Sequence, residues 1–477
     1  MDFFAIKLFV ILYHIRPHEW IGPVRSLRPA LLSMLIGIWG TANRKNGFSL
    51  SLLWKTPHDW LMWAYLVWIV LSSPSPWSTF QTSYSLFVYY FVIVLGLSSL
   101  ERMKSYMRWW VFMLVVVASF ALASKFGFDP TYSSDITEGK MKGRMVFNVS
   151  IFDNPNALGH SLVPALGIAY LLYFWNRFFT VRALLIPIWG ILGWCLFETQ
   201  SKGAFLSAFA TVLAAVSFRR PIFVKLTIFF VAATIGWGAV KSLPRMSELE
   251  KPTAEGGIQG RLWVFTWGYE TYQRTFTGVG WRNFDEGFAR SSGFRKAPHS
   301  TFVAVGAELG KPGLFILVGI LYACFRTLMT ARTRDDEEER MRRVFFVLLL
   351  SFAVSSWMVD WSYRASFFMI VAAVAAFHRH LMNLNHLPAT AADAKSKLPA
   401  VDNSPQKILP GEAFKKLPGK TSEKGVPAVA FEKQADQVAV VPEPGIVWSS
   451  LGWKDWLMIF IATKLTVVFW GYILKNM

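Results

Sequence analysis

Long apolar segments recur along almost the whole chain, and they restrict its fold more than any other feature. Runs of about 17–25 apolar residues have the length at which a helix crosses the hydrocarbon core of a bilayer. The pattern predicts an all-α integral membrane protein with about 12 transmembrane helices and one further helix appended at the C-terminus. The expected cores are Phe3–Tyr13, Leu27–Gly40, Trp60–Leu71, Leu86–Leu97, Trp110–Ala123, Ala157–Phe174, Leu184–Phe197, Ala204–Val216, Ile222–Val240, Phe302–Cys324, Val344–Val359, Phe367–Phe377 and Trp456–Leu474. The first two cores are short, so a tilted or re-entrant path stays open for them.

The composition agrees with a membrane protein, since 53% of the 477 residues are hydrophobic. Lys and Arg number 49 and Asp and Glu 30, so the formal charge is 49 − 30 = +19. In a soluble protein this excess would suggest nucleic acid. Here the basic residues lie mostly between apolar segments, so lipid headgroups and anionic substrates explain them better, and no nucleic-acid partner is expected. The two cysteines, Cys195 and Cys324, form no disulfide framework or metal-thiolate motif.

The distribution of charge predicts the orientation. With the N-terminus inside, most inside loops carry several Lys or Arg, as the positive-inside rule requires. The run Arg334–Arg343 is expected to be a solvated inside face. Two long segments, Lys125–Asn156 and Lys241–Ser300, fall outside. The cations Arg16 and Arg25 of the first outside turn fit the rule less well.

Three regions follow from this arrangement. Residues 1–382 are predicted to form a polytopic membrane domain, the candidate catalytic domain, within which 241–300 is a large, partly helical loop on the outside. Residues 383–447, rich in Ala, Lys, Pro, Glu and Ser, are predicted to be a disordered cytoplasmic linker. Residues 448–477 are predicted to form an additional transmembrane helix, with a position against the membrane as the alternative.

The stretch from Gly256 to Gly313 carries the strongest functional signal. Its cations alternate with aromatic residues, and His299 lies where the next apolar segment begins. A neutral imidazole can deprotonate a hydroxyl near physiological pH, although a lone histidine at such a position is more often an ordinary hydrogen-bonded residue. The stretch favours chemistry on a charged, sugar-like or lipid-linked substrate.

Two cations outside this histidine motif are candidates for binding an anion. Lys202 lies in a tight turn before Gly203 and is either a membrane-flanking anchor or a diphosphate ligand. Arg261 is placed at the start of a loop helix predicted over Arg261–Gln273. A cation there opposes the helix dipole unless an anion offsets it; an ordinary surface arginine is the alternative.

Other candidates rest on weaker signals. Arg282 follows Trp281 in a glycine-flanked run that permits a tight turn against a ligand. Trp281 can stack on a sugar ring, with packing at the membrane surface as the favoured interpretation. Glu308, early in an apolar segment, is expected to orient His299 or to pair with an arginine. Arg144, in the other long outside segment, is a candidate for substrate contact.

One short outside turn offers a charge pairing, and several motifs for metal or nucleotide binding are absent from the sequence. Asp360 and Arg364 bracket a short outside turn and are expected to pair with each other. No HExxH motif, Cys/His quartet, DxD pair or nucleotide P-loop occurs in the sequence. No metal site, cofactor or ATP dependence is therefore expected.

The order of these motifs resembles the O-antigen ligase and O-antigen polymerase (Wzy-like) superfamily of integral membrane glycosyltransferases, and the ligases most closely. The motifs are Thr199-Gln200-Ser201-Lys202-Gly203-Ala204, Gly260-Arg261, Gly278-Val279-Gly280-Trp281-Arg282-Asn283-Phe284, Pro298-His299-Ser300-Thr301 with Glu308-Leu309-Gly310, and Asn154-Pro155-Asn156. The resemblance covers about Phe3 to His380. Two features depart from the family: Lys202 stands where an arginine is usual, and the last helix is not typical.

The resemblance implies transfer of a glycan from undecaprenyl diphosphate to a sugar hydroxyl of lipid A–core. The reaction would be metal-independent and inverting, at the periplasmic face of the bacterial inner membrane. It implies catalytic roles for His299, Arg261 and Arg282. It implies substrate contacts for Lys202, Arg144, Trp281, Glu308 and Asn156.

Alternatives to the ligase remain open at this point. A polysaccharide polymerase and a protein O-oligosaccharyltransferase use the same donor with another acceptor. A lipid-linked glycan transporter is less favoured, because the sequence has no internal repeat and few charges in the middle of its spans. The expected partners are the donor, the acceptor and membrane lipids, and the sequence does not indicate an oligomeric state.

Overall fold

The computed structural model describes residues 1–43, 49–242, 256–382, 446 and 448–476. Every regular element within these ranges is a helix, which confirms the predicted fold class. Of the linker predicted over residues 383–447, only Ile446 is described, and the rest lies outside the described residues. So does part of the predicted large loop, residues 243–255.

The described residues form nineteen α-helices. In chain order they are α1 (Asp2–Ile15), α2 (Pro17–Trp20), α3 (Gly22–Ser26), α4 (Pro29–Ala42), α5 (Pro57–Leu71), α6 (Pro76–Gly96), α7 (Leu100–Ala123), α8 (Ser133–Glu138), α9 (Pro155–Ala169), α10 (Phe179–Ala183), α11 (Leu185–Thr199), α12 (Lys202–Val216), α13 (Ile222–Ser242), α14 (Gly256–Arg274), α15 (Phe284–Ser292), α16 (Thr301–Thr330), α17 (Asp336–Ser355), α18 (Ala365–Leu381) and α19 (Trp453–Asn476). Short 3₁₀ turns cover Leu50–Trp54 and Ser124–Phe126, and a π turn, Tyr170–Phe174, extends α9.

Within the described residues, six helical segments are long and apolar enough to cross a membrane. They are Pro76–Gly96, Leu100–Phe126, Pro155–Phe174, Phe179–Thr199, Thr301–Thr330 and Trp453–Asn476. Shorter apolar helices accompany them, including α4, α12 and α18. The chain is therefore a multi-pass membrane protein, and the number of 12 spans stays a prediction.

Helix α18 lies at the centre of the bundle. Every residue from Ala365 to Leu381 is buried, and α6, α16 and α17 pack against it. Four alanines within 372–376 keep the helix thin, so neighbouring helices can approach closely. Arg364 precedes this helix and Arg379 lies in its last turn, so α18 joins two charged regions at opposite ends.

The end that contains Asp59, Glu338 and Arg379 is closed by buried charge pairs, and we call it the closed end. The Asp59 carboxylate lies 2.7 Å from the Arg379 guanidinium. Glu338 lies within the run Arg334–Arg343, yet it is only 3% exposed and contacts Arg334 and His380. The expectation of a fully solvated face is therefore wrong for Glu338, because tertiary packing covers this side of α17.

A break in α16 creates the place where the preceding loop docks. At Gly310 the backbone has φ 64° and ψ −156°, a conformation that glycine readily adopts. Pro312 has no N–H, so the carbonyl of Glu308, four residues earlier, lacks its helical donor. The N–H of Gly280 donates to this carbonyl instead, at 2.8 Å.

The same loop is fastened on both sides of the break. The Val279 N–H donates to the Ala307 carbonyl at 3.0 Å, and the Lys311 N–H donates to the Phe276 carbonyl at 3.0 Å. Gly278 has φ 77°, and a Cβ there would lie 2.4 Å from the Glu308 carbonyl oxygen. The glycine-flanked run is thus fixed against α16, which brings the residues that follow it beside Glu308.

Candidate active site

A cavity of about 890 Å³ lies at the opposite end of the bundle, which we call the cavity end. It is formed where α1 ends, α9 begins, and the α17–α18 turn meets the segment before α16. Its polar and charged lining includes Arg16, Asp153, Asn156, Arg282, Asp285, His299, Glu308, Asp360, Tyr363 and Arg364. Groups from distant parts of the sequence therefore share one space.

The start of α16 is tied directly to the α17–α18 turn. The Thr301 N–H donates to the Ser356 carbonyl at 2.7 Å, and the Thr301 hydroxyl donates to the Val359 carbonyl at 3.1 Å. The Trp361 N–H in turn donates to the Thr301 hydroxyl at 2.9 Å. These bonds hold His299 next to the turn that carries Asp360 and Arg364.

His299 lines the cavity with a ring that has no hydrogen bond or ion pair to any residue in the described ranges. Its backbone φ is 54°, in the left-handed region that costs a non-glycine residue about 1–2 kcal/mol. Burial, followed by the positive charges of Arg261 and Lys296, lowers the His299 pKa from 6.5 to about 4. The imidazole is therefore neutral at neutral pH and has a nitrogen available to accept a proton.

Arg282 and Arg364 are the cavity cations that are least committed to the protein. The Arg282 guanidinium lies over the Trp281 indole, 4.6 Å from its ring centroid. Neither side chain makes a hydrogen bond or ion pair within the part of the chain that the structure describes. The Asp360 carboxylate attracts both guanidinium groups, and Asp153 attracts Arg364, without a close ion pair, so their N–H groups are available to an anion from solution or membrane.

Arg16 is the third arginine of the cavity, and it is held by neighbours. Its Nε lies 2.5 Å from a carboxylate oxygen of Glu19. The N–H and hydroxyl of Ser150 donate to the same carboxylate, each at 2.7 Å. Arg16 therefore joins the end of α1 to the segment before α9.

The carboxylates of the cavity are bonded mainly to the backbone. Glu308 accepts a hydrogen bond from the Phe284 N–H at 2.9 Å. Asp360 accepts from the N–H and hydroxyl of Ser362, at 3.0 and 2.5 Å, and burial raises its pKa. Asp360 and Arg364 form no close ion pair or hydrogen bond among the described residues, but the positive charge of Arg364 still acts on Asp360, so the expected pairing is present only as a longer-range attraction. Local donors satisfy the carboxylate and leave the arginine uncommitted.

Arg261 and Lys202 do not line the cavity but lie beside it. The charge of Arg261 acts on both His299 and His160. Gly203, adjacent to Lys202, is so close to His160 that an added Cβ would lie 3.0 Å from its Nε2. Arg261 is therefore an electrostatic neighbour of both histidines, and Lys202 is linked to His160 only through the adjacent Gly203.

The prediction that Arg261 lies at a helix N-terminus is wrong. Helix α14 begins at Gly256, five residues earlier than predicted, and Arg261 lies in its second turn. The helix dipole acts mainly in the first turn, so it gives no separate reason for an anion at Arg261. The proximity of Arg261 to His299 is the observation that replaces it.

Arg144 and Asn156 form a network that supports the Lys202 turn. Arg144 donates to the Thr199 carbonyl at 3.1 Å and to the Asn156 side-chain oxygen at 2.9 Å. The Ser201 hydroxyl donates to the same oxygen at 2.9 Å. Asn156 lines the cavity, whereas Arg144 does not. Arg144 thus reaches the site through Asn156.

The aromatic residues of the loop pack on one another. Trp281 is 7% exposed and packs edge-on against Tyr363, with ring centroids 5.7 Å apart. Trp267 packs edge-on against Phe284 and Phe288. Trp281 thus packs inside the protein, where packing at the membrane surface was expected, and its ring lies against the Arg282 guanidinium.

Arg16 and Arg364 are the cavity cations that the sequence analysis did not assign to a site. Both flank helices at the same end; Arg16 pairs with Glu19, whereas the Arg364 side chain makes no close ion pair among the described residues. One signal was present: Arg16 lies in an outside turn where the positive-inside rule does not favour cations. A cation retained against that rule indicates a local function.

Fold and cavity together define a multi-pass helical membrane protein with a charged site at one end of its bundle. Residues 187–318 match the family model described as O-antigen ligase. This match confirms the resemblance to the O-antigen ligase and Wzy-like superfamily, whose members are glycosyltransferase-like enzymes that act on lipid-linked glycans. The matched segment contains Lys202, Arg261, Arg282, His299 and Glu308. No curated protein matches the chain.

Proposed function

We propose that this protein transfers a glycan from undecaprenyl diphosphate to a sugar hydroxyl of lipid A–core. One observation carries the proposal: a neutral histidine ring and two uncommitted guanidinium groups, Arg282 and Arg364, share one cavity. Its volume of about 890 Å³ suits a sizeable polar ligand. A diphosphate would supply the negative charge that these groups lack.

The donor diphosphate would lie between the arginines. A guanidinium group can contact a phosphate through two parallel hydrogen bonds, which fixes orientation as well as charge. Arg282 and Arg364 would make these contacts, while Arg261 and Lys202 stabilise the charge that develops on the leaving group. These cations would do the work that a metal ion does in other glycosyltransferases.

The reaction is a single displacement at the anomeric carbon. The acceptor hydroxyl oxygen forms a bond to that carbon as the bond to the diphosphate oxygen breaks, and the electron pair leaves with undecaprenyl diphosphate. The hydroxyl proton passes to His299. Attack opposite the leaving group inverts the anomeric configuration.

Donor binding would also tune His299 for this role. The free protein lowers its pKa to about 4, partly through Arg261 and Lys296. A bound diphosphate offsets these positive charges, so the pKa rises and the imidazole becomes a stronger base in the complex. The base is thus strengthened when the donor is present.

The charge pattern supports a periplasmic position for the cavity. The closed end receives the Lys- and Arg-rich loops, including Arg334–Arg343, that the positive-inside rule assigns to the cytoplasm. The cavity end would then face the periplasm of the bacterial inner membrane. Both the lipid-linked donor and lipid A–core would reach it there.

The test uses the purified protein in nanodiscs with a lipid-diphosphate glycan, lipid A–core and excess chelator. Glycan on lipid A–core from the wild type and none from His299→Ala is the expected result. Longer lipid-linked chains without transfer to the acceptor would replace the ligase by a polymerase. Activity lost in chelator and restored by magnesium or manganese would contradict the metal-independent mechanism.

A further inference from the structure

The helix that lies beyond the family segment is packed onto the candidate active site. We propose that α19, through Trp470, positions the loop helix α14 and thereby fixes Arg261 beside the cavity. The proposal rests on the proposed function in one respect, namely that Arg261 acts on the donor. Trp470 is a positioning residue in this account, since it does not line the cavity.

One narrow face of α19 makes its contacts with the bundle. The buried residues are Asp455, Ile459, Thr463 and Trp470. Separations of four, four and seven residues place them on one side of a helix. Large apolar residues on the other sides, such as Leu465 and Val468, are exposed for contact with lipid. The docked face is therefore specific in position and small in area.

Trp470 fills a slot between two glycines. A Cβ at Gly268 of α14 would lie 3.2 Å from its indole, and a Cβ at Gly306 of α16 would lie 3.0 Å from it. The indole is fully buried, and its Nε1–H donates to the Phe265 carbonyl at 3.2 Å. Side chains at either glycine would close the slot.

The slot joins the two elements that carry the site. Phe265 lies one helical turn after Arg261 on α14, and Gly306 lies two residues before Glu308 on α16. The ring of Tyr269 packs edge-on against Trp470, with centroids 5.4 Å apart. The indole thus sets the distance between α14 and the cavity wall.

A polar lock at the closed end sets the depth of α19. The Asp455 carboxylate lies 2.9 Å from the Arg326 guanidinium and accepts a hydrogen bond from the Tyr322 hydroxyl at 2.9 Å. The Gly452 N–H also donates to Asp455, at 2.7 Å. Because one end of α19 is held on α16, Trp470 cannot slide out of register with its slot.

The first test measures transfer kinetics of the full chain. Trp470→Ala is expected to lower kcat about ten-fold or more, since small displacements of catalytic groups reduce rates strongly, with less change in the acceptor KM. Trp470→Phe refills much of the slot and should recover most of the loss. The matched control is Trp456→Ala, which removes the same residue type from the same helix where it stacks on Phe315. Equal kinetics for Trp470→Ala and the control would overturn the proposal.

A second substitution tests the slot itself. Gly306→Ala adds a methyl group 3.0 Å from the indole and should lower kcat. Combining it with Trp470→Phe should restore activity above the level of Gly306→Ala alone, because the smaller ring makes room. If the loss in kcat of the double variant equals the product of the losses in the two single variants, the two residues act independently, which would contradict a shared slot.

A readout without activity separates this proposal from the proposed function. In a full chain carrying Cys195→Ala and Cys324→Ala, Arg261→Cys is labelled with a water-soluble thiol reagent. Adding Trp470→Ala should change the labelling rate several-fold, because α14 moves, whereas Trp456→Ala should leave it unchanged. The positioning role is wrong if the two rates agree. A changed labelling rate, together with a wild-type chain that transfers no glycan, would leave the role of Trp470 intact and remove the proposed function.

Discussion

The two ends of the bundle differ in whether their charged side chains are paired within the protein. At the closed end, the buried Asp59 carboxylate accepts from the Thr56 N–H and hydroxyl, each at 2.8 Å, and from the Tyr90 hydroxyl at 3.0 Å, besides pairing with Arg379. At the cavity end, Arg282 and Arg364 make no such contacts within the described ranges. A charge taken out of water needs a partner. The charged groups of the closed end have their partners within the protein, whereas Arg282 and Arg364 at the cavity end have N–H groups available to a ligand.

Three of the non-glycine residues with left-handed backbone conformations lie at the cavity. Arg16, Arg282 and His299 have φ of 49°, 57° and 54°, and all three line the cavity. Such conformations persist where the surrounding structure enforces them, and they concentrate at functional sites. Loops at the cavity end are thus shaped to aim particular side chains at the same space.

The largest expected effect comes from breaking the closed end. Asp59→Ala leaves Arg379 buried without its partner, which is expected to cost about 3–5 kcal/mol of folding stability. Thermal unfolding of the purified protein should show a strongly lowered midpoint or little folded protein. Arg364→Ala at the cavity end should unfold like the wild type, since its guanidinium has no protein partner to lose.

A double substitution checks the cause. Asp59→Leu with Arg379→Met replaces the buried ion pair by apolar side chains and should recover much of the stability, because neither charge remains unpaired. If the double variant unfolds as readily as Asp59→Ala, the hydrogen bonds from Thr56 and Tyr90 matter more than the charge.

The sequence predicted the helices far better than the partners of the charges. Apolar length predicted the helical bundle, and the Pro298–Gly310 motif singled out His299 and Glu308, which both line the cavity. The expectation that Glu308 orients His299 or pairs with an arginine side chain is wrong among the described contacts, because its carboxylate accepts from the Phe284 N–H. The expected close pair of Asp360 with Arg364 is only a longer-range attraction, because Ser362 supplies the hydrogen bonds of the carboxylate and spacing does not reveal this.

The start of α14 shows the same limit. A glycine-rich segment at Gly256 indicated a loop, yet the helix includes it. Helix propensity is a weak preference that neighbouring structure readily overrides. The slot for Trp470 was also invisible in the sequence, because it depends on two glycines 38 residues apart meeting one tryptophan far along the chain.

Removal of Arg282 or Arg364, the two cavity arginines without a close ion pair among the described residues, is expected to have the next largest effect. Arg282→Ala and Arg364→Ala should each lower transfer about 10²–10³-fold, as expected when a donor to a developing negative charge is removed. Initial rates at equal amounts of folded protein measure the effect. The control is Arg332→Ala, an exposed arginine beyond the other end of α16, which should change the rate little.

Lysine variants sharpen this result. Arg282→Lys and Arg364→Lys keep the charge but lose the two parallel hydrogen bonds of a guanidinium. An intermediate rate for each would support direct phosphate contact. Equal losses in all three alanine variants, Arg332→Ala included, would instead indicate a general folding defect.

A smaller effect is expected in the pH dependence. Transfer requires neutral His299, so kcat/KM should fall as pH drops through the low pKa of about 4. The positive charge of Lys296 helps to lower this pKa, so Lys296→Ala should raise it toward 6.5 and move the acidic limb to higher pH. Lys296→Arg keeps the charge and should leave the limb in place. An acidic limb that does not move in Lys296→Ala would assign it to a group other than His299.

The smallest change is expected at Lys202. The position lies beside the cavity, and the related family usually has arginine there, so Lys202→Arg should keep transfer within about three-fold of the wild type. Its turn is held by Asn156 and Arg144 through backbone and side-chain bonds that the substitution leaves in place. Lys202→Ala, assayed beside it, should lose more activity, because it removes the charge. If Lys202→Arg is as inactive as Lys202→Ala, the compact ammonium group itself is required, and the turn binds a different ligand from that of the family.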